Sequence, residues 1–260
     1  MNHLHHTFLA MRTLLFLLIA ALHCASASAQ PLRVLTAGAF KQVVVSFVPA
    51  FEATHGVKVD VLNDTAGALI KRIAAGEAFD LVFLTPAGLA ELARAGKVDA
   101  PSVKPIAKVV IGVAVKAGQP LPPLATVEDF KQAVLRAGKV AYIDPASGGS
   151  SGIYLDGLFK RLGIADAVAA KAVLVPGGYA AERVASGQAD MAIHQVSEIL
   201  PVSGVVLAGL LPDEIQNTTT YGYGMAADTR VADLARKFLA ALSTRDAAEV
   251  IRVKGMQPLP

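Results

Sequence analysis

Apolar side chains recur at Phe40, Val43, Val44, Phe47, Val48 and Phe51. That spacing of three, four and seven predicts an amphipathic helix, and His55-Gly56 closes it. Residues 33–36 ahead of it form a short apolar run that reads as a strand, and Ala37-Gly38-Ala39 makes a tight turn between the two. The alternation continues with a strand at 57–62. Asn63-Asp64-Thr65 then supplies capping side chains for a helix carrying Leu69, Ile70 and Ile73, which ends at Gly76. A third strand at 80–84 precedes a helix that Pro86 opens and Gly96 ends. Strand followed by helix, three times, implies right-handed crossovers and a parallel sheet with helices on both faces.

A longer β-branched run at 109–115 follows, then a stiff loop from Gly118 to Pro123. A second α/β series comes after it, with a helix at 127–136 and strands at 140–143, 172–175, 190–193 and 205–208. Gly177-Gly178-Tyr179 leads into a helix through Val184, and His194-Gln195 into a short one ending near Pro201. Residues 218–225 are again β-branched and aromatic, and helices at 231–242 and 246–253 finish the chain. Two α/β sets joined by two extended segments predict a two-lobed protein with a double-crossover hinge at 109–115 and 218–225. One lobe is residues 30–110 with 224–260, the other 111–223, and the last helices pack back on the first. A ligand is expected between the lobes, beyond the carboxyl ends of the strands.

The stretch 140–163 carries the most chemistry. A buried-looking strand stops at Asp144-Pro145, Gly148-Gly149-Ser150-Ser151 makes a hydroxyl-rich loop, and a helix bearing Leu155, Leu158, Phe159 and Leu162 begins. Strand, glycine-rich loop and helix start direct unpaired backbone N–H groups at one point, which suits an anion. The same run is also compatible with an ordinary helix behind a loose lead-in. The three other strand-to-helix turns favour the first reading.

Composition narrows the class. Arg12, an apolar core at 14–22 and Ala27-Ser28-Ala29 make residues 1–29 an expected export signal, which places the protein in the periplasm. Of 24 Lys and Arg against 21 Asp and Glu, only Arg12 lies in that segment, so the rest is nearly balanced and has no nucleic-acid footprint. Cys24 leaves with the signal, and only His55 and His194 remain among histidines, which argues against a Cys/His metal cluster.

In their order and spacing, VLTAGAF, TAGALIKRIAAGEAFDLVFL, IDPASGGSSGIYLDGLFKRLGI and VASGQADMAI resemble a known family. It is the molybdate- and tungstate-binding branch of the periplasmic solute-binding proteins of ABC importers. The resemblance covers most of the chain after residue 29. It implies a type II binding-protein fold, capture of a small oxyanion, delivery to an inner-membrane permease, a monomer, no cofactor and no catalysis. The family's ligand positions fall on the Gly38-Ala39 turn, on Thr65-Ala66, on the Ser151 amide, near Gly177 and on Gln195. Where the family offers serine and tyrosine hydroxyls, this chain has Ala39, the run Thr65-Ala66-Gly67 and Gln195, so that the hydroxyls are mostly replaced, while Ser150, Tyr179 and His194 add donors of their own. Losing hydroxyl donors to a buried dianion weakens its binding by about 1.5–3 kcal/mol each, and Asp64 beside the cleft repels it further. A small carboxylate or another anion, held by a transport component or a sensor, is the alternative ligand.

Two short patterns compete. Gly148-Gly149-Ser150-Ser151-Gly152 fits the serine-hydrolase pattern, yet Asp144 to Ser147 separates that serine from its strand. Tyr221 and Tyr223 lie two apart in a strand, as a ferric site of tyrosinates requires, although two half-buried strand aromatics explain them more simply.

Overall fold

The computed structural model describes residues 30–260, so the expected export signal lies outside the described residues. The chain alternates β1 (Leu32–Ala37), α1 (Gly38–His55), β2 (Val59–Asp64), α2 (Ala66–Ala74), β3 (Leu81–Leu84) and α3 (Pro86–Arg94). β4 (Lys104–Lys116) is the longest strand. After it come α4 (Val127–Arg136), β5 (Val140–Ile143), α5 (Ser150–Arg161), α6 (Ala165–Ala169), β6 (Ala172–Val175), α7 (Ala181–Ala185), β7 (Met191–Gln195), α8 (Val196–Ile199) and β8 (Val205–Leu210). The chain closes with β9 (Thr218–Met225), α9 (Ala232–Ala241), α10 (Arg245–Val253) and β10 (Gln257–Pro258).

The strand order is β2-β1-β3-β9-β4-β7-β5-β6, with β8 and β10 also paired to β4. β4 is shared. Its first part, Lys104 to Val110, pairs antiparallel with β9, while Ile111 to Val115 pairs antiparallel with β7. One strand therefore belongs to both halves of a two-part α/β molecule, each half built on parallel pairs, β1 with β2 and β3, and β5 with β6 and β7. β9 pairs only with β3 and the first part of β4. The return passage thus runs through residues 211–217, ahead of the β-branched segment in which the sequence put it.

The helical period of α1 buries Phe40, Val43, Val44 and Phe51. Phe40 stacks on Phe83 of β3 at 5.0 Å between ring centres, and Phe51 meets Phe238 of α9 edge-on at 5.0 Å. Burial of each such ring contributes about 1.5–3 kcal/mol. α9 and α10 join this first core through Phe238, Leu239 and Ile251. Phe130, Val140, Leu155, Leu158 and Ile193 form the core of the second half. β2 begins and ends two residues later than its alternation suggested, because Asn63 and Asp64 keep pairing with Thr36 and Ala37. Capping of α2 falls to Thr65 alone, whose hydroxyl accepts from the Ala68 amide at 3.2 Å.

Candidate functional site

The ends of β1, β2, β5 and β7 converge with their following turns on one cavity of about 30 Å3. A single water needs roughly 10–15 Å3, so the space is small. The halves touch around it. The Thr65 hydroxyl donates to the Ser147 carbonyl at 2.5 Å, and the Gly67 amide to the Gly148 carbonyl at 3.1 Å. Gly148 holds a left-handed φ of 77°, and a Cβ on it would lie 2.7 Å from the Gly67 Cα, so the contact needs both glycines. At the rim, Gln42 Nε2 donates to the Tyr179 hydroxyl at 2.7 Å, and Lys41 lies over the same ring.

Of the residues expected from sequence, Gly38, Ala39, Thr65, Ala66, Ser150, Ser151, His194 and Gln195 line the cavity. Gly177 faces Asp64 and Thr65 from just outside, and Gly178 reaches the lining in its place. Tyr179 serves as the rim bridge to Gln42 instead of reaching the cavity. Asn63, Asp64, Glu198 and Tyr221 also line it. Asp64 accepts from the Thr65 amide at 2.8 Å and pairs with Arg72 at 3.4 Å, so its charge is partly answered from outside the cavity.

Three helix starts face this space, and they differ. α2 has spent two of its leading amides, Gly67 on Gly148 and Ala68 on Thr65. α5 has no side-chain cap, and its first residues, Ser150 and Ser151, line the cavity. α1 also lacks a side-chain cap, but the Glu198 carboxylate lies against Gly38, where a Cβ would collide with Oε1. A negative group at a helix start is favoured by the helix dipole. Here the protein supplies it.

Ser150, Gln195 and Tyr221 form a closed ring of hydrogen bonds. The Tyr221 hydroxyl donates to Gln195 Oε1 at 3.1 Å, Gln195 Nε2 donates to Ser150 Oγ at 3.2 Å, and Ser150 and Tyr221 oxygens lie 3.1 Å apart. With those donors assigned, the Ser150 proton and the second hydrogen of Gln195 Nε2 are free to turn toward a solute. Tyr221 is 2% exposed, and burial first, then the charge of Glu198, raises its phenol well above the ordinary value, so it stays a donor.

His194 is 1% exposed and Glu198 6%. His194 Nε2 lies 3.1 Å from Glu198 Oε2, while Nδ1 has no hydrogen-bond partner among the described residues. Ser150 is therefore not paired with a histidine, and the serine-hydrolase arrangement is absent from its surroundings. Tyr221 faces this cavity, whereas Tyr223 faces a different one beside Asp99, Ser102 and Arg236. Among the described residues no three His, Cys, Asp or Glu side chains gather as a metal site. Glu198 escaped the sequence reading because α8 is four residues long and carries no period. Its spacing of four from His194 is the one signal that could have exposed it.

A family model described as "Bacterial extracellular solute-binding protein" matches residues 32–257. An aconitate isomerase from Pseudomonas sp is 34% identical over 242 residues, covering 90% of this chain and 91% of that one. The Azotobacter vinelandii periplasmic molybdate-binding protein superposes with a TM-score of 0.72 at 20% identity, over 88% of this chain and 99% of its own. The sulfate-binding protein of Mycobacterium tuberculosis gives 0.70 at 20% identity, over 88% and 87%. These two likenesses concern the fold, and agree with the two-part α/β architecture joined through β4. The match across nearly the whole described chain makes this protein a member of the bacterial extracellular solute-binding proteins.

Proposed function

We propose that this protein works in the periplasm, captures a small unsaturated carboxylate between its two halves, and isomerises it by moving a proton. The observation that carries the reading is the buried His194–Glu198 pair lining the cavity, 3.1 Å apart. A site that only cradles an anion gains nothing from a carboxylate of its own in the lining, since like charges repel. A site that moves a proton at carbon needs such a group. The aconitate isomerase relative, similar along 90% of this chain, supports both the carboxylate ligand and the reaction class. The uncapped start of α5 and the Ser150 hydroxyl suit one carboxylate of such a solute.

A second reading keeps the molybdate- or sulfate-like oxyanion and a transport role with an ABC permease. Cavity size favours it, because about 30 Å3 suits a compact ion with the bridges at Thr65, Gly67 and Tyr179 made. A six-carbon tricarboxylate needs those bridges parted. Calorimetric titration with molybdate, tungstate, sulfate, citrate and trans-aconitate, followed by proton NMR of aconitate incubated with the protein, separates the two. We expect carboxylate binding with appearance of the other geometric isomer. Submicromolar molybdate binding with inert aconitate overturns the isomerase reading and leaves the transport one.

A further inference from the structure

We infer that Glu198 is the catalytic base that carries the proton, and that His194 is its positioning residue. This rests on the carboxylate-isomerase reading above and assigns its chemistry to atoms. A buried N–H without an acceptor costs more than a buried ring nitrogen without a donor, because the donor loses a hydrogen bond it would have kept in water. Nδ1 of His194 has no partner, so the imidazole proton belongs on Nε2, donated to Glu198 Oε2 at 3.1 Å. His194 therefore donates at Nε2 and keeps its lone pair on Nδ1, while Glu198 keeps Oε1 for a solute. Its Oε2 is held by His194, and Oε1 lies against Gly38 at the cavity wall, beside the start of α1.

The step balances without a co-reactant. Glu198 Oε1 takes a proton from a methylene next to a carboxylate and adjacent to the double bond. The C–H bond breaks, and its electron pair spreads over the three-carbon allylic system and the neighbouring carboxylates. Glu198, now a carboxylic acid, returns the proton to the far end of that system, where a new C–H bond forms and the double bond has moved by one position. Nothing is oxidised, and no group leaves. The substrate class follows from the chemistry: a short chain with a double bond flanked by carboxylates, whose intermediate anion is delocalised. The α5 amides and Ser150 hold a carboxylate of the solute, so the base and the anchor come from different helix starts across one cavity.

The test uses the purified protein with trans-aconitate in heavy water, read by NMR for isomerisation and for deuterium at the methylene and vinyl carbons. Tricarballylate, the saturated analogue, reports binding by calorimetry. Wild type is expected to isomerise and exchange. Glu198→Gln is expected to slow both by about 100-fold or more while tricarballylate affinity stays within about tenfold. His194→Gln, which retains an amide donor, is expected to restore most of the turnover lost in His194→Leu, a rescue that a packing role for the ring does not give. Glu198→Gln turning over at the wild-type rate overturns the assignment and leaves the isomerase reading standing. Wild type that binds tricarballylate yet neither isomerises nor exchanges aconitate overturns both. Should Glu198→Gln fail to bind tricarballylate, Glu198→Asp decides: slowed exchange at retained affinity supports the base, and an unchanged rate refutes it.

Discussion

α1 and α5 begin alike and end up with opposite tasks. Both follow a buried strand, both start at small residues, and neither has a side-chain cap. At α1 the positive end of the helix meets Glu198, an anion of the protein's own. At α5 it meets open space and the Ser150 hydroxyl, tied to Gln195 and Tyr221. The lesson is that a helix start is a general seat for negative charge, and which seat remains for a solute depends on what the rest of the chain brings there.

The packing beneath the two seats differs as well, and mutations can expose it. The largest effect is expected at Gly152 in α5, where a Cβ would run into the Ile143 carbonyl, a backbone atom that cannot swing away. Gly152→Ala should cost about 3 kcal/mol of stability, seen as a lowered urea midpoint. If that variant is as stable as wild type, α5 is less tightly seated on β5 than described. Ser150→Ala comes next. It should weaken binding of the preferred anion by about 1.5–3 kcal/mol, roughly ten- to a hundredfold by calorimetry, with little change in melting temperature. Unchanged affinity would mean that the Ser150 hydroxyl does not touch the anion.

Gly38→Ala is expected to be milder than Gly152→Ala, because its new methyl meets the movable Glu198 carboxylate and not backbone. A loss of about 1 kcal/mol in thermal unfolding, together with impaired isomerisation, would mark Glu198 as displaced. The smallest effect concerns alkaline pH. Tyr221 titrates above the usual 10.0 in the folded protein, so its contribution is complete below pH 10 and declines as pH rises beyond it, where only the unfolded chain sheds the proton. Tyr142, Tyr179 and Tyr223 shift the same way. Tyr221→Phe should therefore lose part, not all, of the alkaline decline measured by urea unfolding on either side of pH 10.

The sequence made α1 plain, since six apolar positions in one period leave a single face to bury. The turn at Gly148 to Ser151 was equally plain, as glycines and serines between a strand and a helix have few other uses. Glu198 was hidden because a lone acidic residue in a four-residue helix looks the same whether it faces water or a cavity. Tyr221 was read as a half-buried strand aromatic or, with Tyr223, as a ferric ligand. Its meeting with Gln195 depends on how β9 and β7 lie along β4, with a register shift between Pro105 and Ala107, and no local pattern encodes that. Tyr179 was taken for a cavity donor, but its partner Gln42 stands 137 positions away.

β4 binds β9 opposite Tyr221 at Ala107 and β7 opposite Gln195 at Ile111. Two members of the ring thus ride on neighbours of the shared strand, whereas the Gln42–Tyr179 clasp joins α1 to the turn after β6. Parting the Gln42–Tyr179 clasp would leave both strand pairings beside the ring unbroken, so clasp and ring are held by separate parts of the molecule.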